Sequence, residues 1–266
     1  MDFSPGYREL APAAAFRREI DCLWVQAAPP DRSRPAMVLP DACTDLIWQS
    51  GVGAYVAGPD TGPAPVTLPP GTVCAGVRFR PGAGGPALGL PLSELLDRRV
   101  PAAELPGLSA HQLSGSLPPD VALRQVAQIA ARLVTERQPD PVVLAAARLL
   151  ARPGARADQV AAQLELSERQ LRRRCQAAAG YGPRTLHRVL RFRRFLSRLD
   201  AGRGETELAR WAAEAGYADQ AHLTRESSRL AGLPPAALAR LRAGANADAD
   251  ADAPGADRTG GRPLAS

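Results

Sequence analysis

Arg169, Arg172 and Arg173 are the residues of this chain best grouped for chemistry. On a helix they fall within about a 100° arc, opposite Leu171, Cys175 and Ala178. Guanidinium groups so placed can grip phosphate oxygens or fork onto the O6 and N7 edge of guanine. Other candidate chemistry is thinner. Histidines 111, 187 and 222 and cysteines 22, 43, 74 and 175 show no metal-ligand spacing, so no metal and no cofactor is assigned. Cys43 reads as structural. No nucleophile-base pair is readable, and no residue is assigned as catalytic. Gly82-Ala83-Gly84-Gly85 lacks the Gly-Lys-Ser/Thr of a phosphate loop and reads as a flexible turn. Alternation along Val77-Arg78-Phe79-Arg80 puts both arginines on one sheet face. They could clamp an anionic effector, or pair internally with Asp41 or Asp45, the reading we favour.

The elements that would position these arginines occur twice. Ser167-Glu168-Arg169-Gln170-Leu171-Arg172-Arg173 is answered by Asp219-Gln220-Ala221-His222-Leu223-Thr224-Arg225. Ser167 and Asp219 are N-cap residues, each followed four positions later by an inward leucine. Short alanine-rich helices, Asp158 to Leu164 and Glu205 to Ala215, precede them. The second turn has Gly216; the first is one residue shorter and has Glu165 instead. Both copies close on glycine then proline, at Gly180 to Pro183 and Gly232 to Pro234. Between them Arg184 to Leu199 reads as one connecting helix, with Leu186, Val189, Leu190, Phe192, Phe195, Leu196 and Leu199 at helical spacing. Its length of about 24 Å suits two reading helices spaced near one turn of DNA, roughly 34 Å.

Two helix-turn-helix units on a connecting helix, with Gly216-Tyr217-Ala218-Asp219-Gln220-Ala221-His222-Leu223-Thr224-Arg225-Glu226 in the second, resemble the AraC/XylS family of bacterial transcription regulators over about residues 140 to 242. The resemblance implies double-stranded DNA as partner. It further implies base contacts by Arg169, Arg172 and Arg173 in one major groove and by Gln220, Ala221, Thr224 and Arg225 in the next. Arginine favours guanine, glutamine favours adenine, and Thr or Ala methyl groups can meet the thymine methyl, so the first half-site is expected to be G-rich and the second mixed. Cys175 and Ser227 stand where the family usually places a large apolar residue, so either unit is expected to be looser than the family norm unless neighbours such as Leu230 fill the space.

Charge agrees in sign and place. Residues 148–242 carry a net +10 and the remainder −4, and the chain has no lysine. Arg174, Arg184, Arg188 and Arg191 are read as phosphate contacts or plain surface, with phosphate contacts setting affinity rather than sequence choice. Residues 1–110 show short β-type runs between Pro and Gly: Glu19 to Ala27, Met37 to Leu39, Asp45 to Gln49, Ala54 to Ala57, Pro65 to Leu68 and Thr72 to Arg80. They read as a mainly antiparallel β domain for sensing or assembly. Its phrases Pro40 to Trp48, Ala57 to Asp60 and Gly76 to Gly82 resemble an uncharacterised domain found ahead of AraC-type units. Its effector is unknown.

The fold class expected is therefore α+β. Helical stretches follow the sheet, Pro91 to Asp97 and Pro119 to Gln138. The latter bears an apolar stripe for dimerisation, for a bridge between domains, or for packing on its own domain. Asp140-Pro141 opens the reader. The divisions expected are 1–110, a helical linker or dimerisation segment 111–139, the double helix-turn-helix 140–242, and a disordered acidic tail 243–266. Scattered cysteines and the lack of an 18-residue apolar run suggest a cytoplasmic protein with no membrane partner. A homodimer and a small-molecule effector stay open, as does RNA polymerase if the protein activates. Two rival functions remain: a small-molecule enzyme in the β domain, and a DNA-binding protein without sequence preference.

Overall fold

The computed structural model describes residues 5–106, 108, 113–201 and 208–242. A six-stranded sheet, wholly antiparallel, runs β1 (Gly6–Leu10), β2 (Ile20–Ala27), β7 (Val73–Phe79), β4 (Thr44–Gln49), β5 (Gly53–Ala57) and β8 (Arg99–Pro101) in spatial order. A two-stranded ribbon of β3 (Arg34–Val38) and β6 (Ala64–Leu68) accompanies it. Alternation divides the central strands between two cores. Leu46, Trp48, Val77 and Phe79 belong to one, with helices α1 (Gly84–Leu88) and α2 (Pro119–Glu136). Cys22, Trp24, Ile47 and Cys74 belong to the other, with Leu68 and Val66 of the ribbon.

Helix α2 packs on β7, β4 and β2. Its stripe of Ala122, Val126, Ile129, Ala130, Leu133 and Val134 is buried in the sheet core, so the sheet takes up the face considered for dimerisation. Two local expectations fail. Residues 91–97 form only a 3-10 turn at Leu92–Glu94, because Leu92 and Leu95 turn into the core and Asp97 reverses the chain at φ 58°. The Asp97 carboxylate accepts from the Thr61 amide and hydroxyl at 2.6 and 2.7 Å, which holds that reversal. Gly84 and Gly85, read as a loose turn, instead open α1 and are buried.

The helical half comprises α3 (Pro141–Leu150), α4 (Ala157–Gln163), α5 (Glu168–Ala179), α6 (Pro183–Ala201), α7 (Leu208–Ala215) and α8 (Gln220–Ala231), with a last helix at 235–242. Asp140 caps α3 by accepting from the Val142 amide, with Pro141 as first helical residue. Phe192, Phe195 and Leu186 of α6 are fully buried at the centre. The expected tail 243–266 and the start of the helix expected from Glu205 lie outside the described residues.

Candidate nucleic-acid interface

The first of the two motif helices, α5, begins on a capping box. Ser167 Oγ accepts from the Gln170 amide at 3.2 Å, and Gln170 Oε1 accepts from the Ser167 amide at 2.9 Å. Asp219 caps α8 by accepting from the His222 amide at 2.6 Å. Both helices end on a left-handed glycine, Gly180 at φ 80° and Gly232 at φ 69°.

The two turns match hydrogen bond for hydrogen bond up to their last residue. The Leu166 amide donates to the Ala161 carbonyl, and the Tyr217 amide to the Ala212 carbonyl, each at 2.9 Å. Ser167 follows Leu166 directly, whereas Ala218 intervenes before Asp219. The position that is Gly216 in the second turn, φ 88°, is Glu165 in the first, which takes φ 54° despite its side chain.

Each of these two helices buries one face and bares the other. Leu171, Cys175 and Ala178 are buried on α5, while Arg169, Arg172 and Arg173 are exposed. Leu223, Ser227 and Leu230 are buried on α8, with Gln220, Ala221 and Arg225 exposed and Thr224 half-buried. The Thr224 hydroxyl donates to the Gln220 carbonyl at 2.9 Å, which satisfies it within its own helix. Burial pushes the Cys175 thiol up to about 12, as befits a packing residue. Among the described residues, Arg169, Arg172, Arg173 and Arg225 form no ion pair. Arg169 and Arg172 line a groove of about 650 Å³ with Gln176, Arg184 and Thr185, where α5 meets the start of α6.

The four arginines read as backbone contacts separate here. Arg184 is exposed in that groove. Arg174 pairs with Asp140 at 2.5 Å. Arg188 and Arg191 both turn to Glu226, at 3.0 and 2.7 Å. Arg191, only 13% exposed, also lies 4.6 Å from the centre of the Tyr217 ring, and His222 meets that ring edge-on. These contacts fasten α8 to α6. Sequence reasoning gave Glu226 no role, and its one signal was being the only acid on α8.

Arg78 pairs with Asp45 at 3.2 Å and Asp41 at 3.5 Å, while Arg80 turns to Asp21 at 2.8 Å. Both are thus engaged in internal ion pairs. Burial pushes the Asp45 carboxyl up, and Arg78 opposes that rise. Among the described residues no group of His, Cys, Asp and Glu is arranged to hold a metal ion, and no helix is long and apolar enough to cross a membrane.

Two capped helices on a shared connecting helix, each with a bare polar face, define a double helix-turn-helix protein. Residues 160–241 match the helix-turn-helix domain model, and residues 8–101 match a domain of unknown function, DUF6597. Residues 160–241 thus form an AraC-type helix-turn-helix domain, with a DUF6597 domain at its N-terminal side. Solved structures of ToxT from Vibrio cholerae are similar to it at low identity. One from strain O395 is 10% identical, covering 82% of this chain and 96% of that one at a TM-score of 0.45. Another, in a P21 form, is 9% identical over 89% and 98% at 0.46. Wild-type ToxT from strain SCE256 with bound unsaturated fatty acid is 10% identical over 81% and 93% at 0.42. No curated protein matches.

Proposed function

We propose that the chain reads a specific DNA sequence by inserting α5 and α8 into adjacent major grooves. The observation carrying this is the pair of bare faces on α5 and α8, held on one rigid helix. Arg169, Arg172 and Arg173 read the first half-site, and Gln220, Ala221, Thr224 and Arg225 the second. α6 spans about 28 Å at the rise of an α-helix, near the groove repeat of DNA. Arg184 contacts phosphate. Arg174, Arg188 and Arg191 orient the helices through Asp140 and Glu226. The reader is residues 140–242, the helical segment 111–139 joins it to the β domain 1–110, and the chain works in the cytoplasm without a reaction of its own. A small-molecule effector, a second copy, or RNA polymerase would act through the β domain or the exposed helical surface.

Selection of binding sites from a random DNA pool at about 150 mM salt, where nonspecific contacts weaken, tests this. Two enriched half-sites one helical turn apart are expected. Arg173→Ala and Arg225→Ala should each weaken the cognate site by about 1–3 kcal/mol and relax different positions. Equal loss on every sequence would make them backbone contacts, and no enrichment would sink base reading.

A further inference from the structure

The two reading helices are fastened to different things. Helix α8 rests on α6 and α7, within the helical half. Helix α5 also meets α1 and the 3-10 turn at Leu92–Glu94, both from the N-terminal half. The approach is close. A Cβ on Gly85 would lie 2.5 Å from the Ala177 carbonyl oxygen and 3.0 Å from the Ala178 Cα, so only glycine lets α1 lie there. At the end of α5 a Cβ on Gly180 would stand 2.6 Å from Pro59 Cγ. The next residue, Tyr181, donates its buried hydroxyl to the Asp60 carbonyl, and the Asp60 carboxylate takes two bonds from Arg99 of β8 at 2.8 Å.

A second fastening sits on α6. Arg193 pairs with Asp21 of β2 and donates to Cys43 Sγ at 3.3 Å, and Asp21 also holds Arg80. Ala42 joins the core of the helical half, with Leu39 and Leu96 packed against it. On the second unit, Gly232 stands by Pro63 at looser range, 3.6 Å from an added Cβ.

The docked end spares the reading face. Ala177 and Ala178 lie at the C-terminal end of α5, while Arg169, Arg172 and Arg173 near its start remain exposed. The groove that Arg169 and Arg172 line is built wholly from residues 157–185. A domain that masked the reader would cover those arginines.

We infer that the N-terminal domain is a docking base whose partner is the C-terminal end of α5 in the same chain. Pro59, Gly85 and Leu92 form the seat, Asp21 with Arg193 the latch, and together they set the angle at which α5 meets DNA. The second unit takes its angle from α6 through Glu226. This inference rests on base reading by α5.

Full-length Gly85→Val tests it beside Gly62→Ala, where an added Cβ meets nothing. On DNA carrying both half-sites, Gly85→Val should weaken protection of the α5 half-site about tenfold and leave the α8 half-site as in wild type. Without DNA, amide exchange along α5 should quicken in Gly85→Val and not in Gly62→Ala. Tyr181→Phe, which keeps shape and removes the hydroxyl bond from the end of α5 to Asp60, should give the same one-sided loss if Gly85→Val does not fold. Equal protection of both half-sites by a folded variant overturns the inference, and so does equal loss of both. A wild-type chain that protects neither half-site counts against base reading instead. Exchange along α5 then decides the docking by itself.

Discussion

The Ser227 hydroxyl donates to the Leu233 carbonyl at 2.7 Å, across the turn that ends α8. Ser227 is fully buried, at a position where the family resemblance leads one to expect a large apolar residue. Leu230 and Leu238 are buried in the core beside it, and the hydroxyl has a partner. Ser227→Ala should lower stability by about 1 kcal/mol by leaving that carbonyl unpaired. Ser227→Phe should lower it further by overpacking. Thermal unfolding of the two variants ranks them, and a more stable phenylalanine variant would show that the site has spare room.

Arg184 and Arg191 should part company in a salt titration. Arg184→Ala should reduce the slope of log affinity against log salt by about one, the signature of one phosphate contact. Arg191→Ala should leave that slope alone and lower stability by about 2 kcal/mol, since it strips a charged partner from Glu226. A reduced slope with unchanged melting for Arg191→Ala would move it to the DNA surface.

Glu165 holds a left-handed backbone that glycine holds without steric penalty. Glu165→Gly should therefore stabilise the protein by about 1 kcal/mol, raising Tm by roughly 2–4 °C. A lower Tm would mean that the flexibility glycine gives the unfolded chain outweighs the relief of strain.

Burial holds the His187 imidazole below its ordinary 6.5, against the opposing bond to the Leu150 carbonyl, while Arg191 and Arg194 lower it further. The folded chain thus resists a proton that the unfolded chain accepts near 6.5. Stability should fall as pH drops below that value, until the folded imidazole also titrates. His187→Asn, which keeps a donor for Leu150, should show a shallower fall in Tm between pH 7.5 and 5.5. Identical profiles would remove His187 as the cause.

Much of the reader is legible in the chain because its signals are local. Ser167, Asp219, Gly180 and Gly232 act on neighbours a few residues away, so spacing reveals them. The strands β2 and β4 to β7 show for a similar reason, through β-type runs bounded by Gly and Pro. β1 is an edge strand with three exposed residues and no apolar alternation, and β8 is three residues long, so neither carries a readable period. The pairing of Arg191 with Glu226 and the seat of α5 on Gly85 join residues 35 and more than 90 positions apart. Such contacts exist only once the chain has folded, and composition points the wrong way, toward arginines as free surface charge and glycines as slack.

The extra residue in the second turn, Ala218, has a consequence for the genome. A reader built from two unlike halves has a head and a tail, so a site read in the proposed way would have a direction as well as an address. Reversing that site turns the whole molecule end for end and carries the N-terminal domain to the other side of the bound segment. On one strand it would face oncoming transcription, and on the other it would trail it.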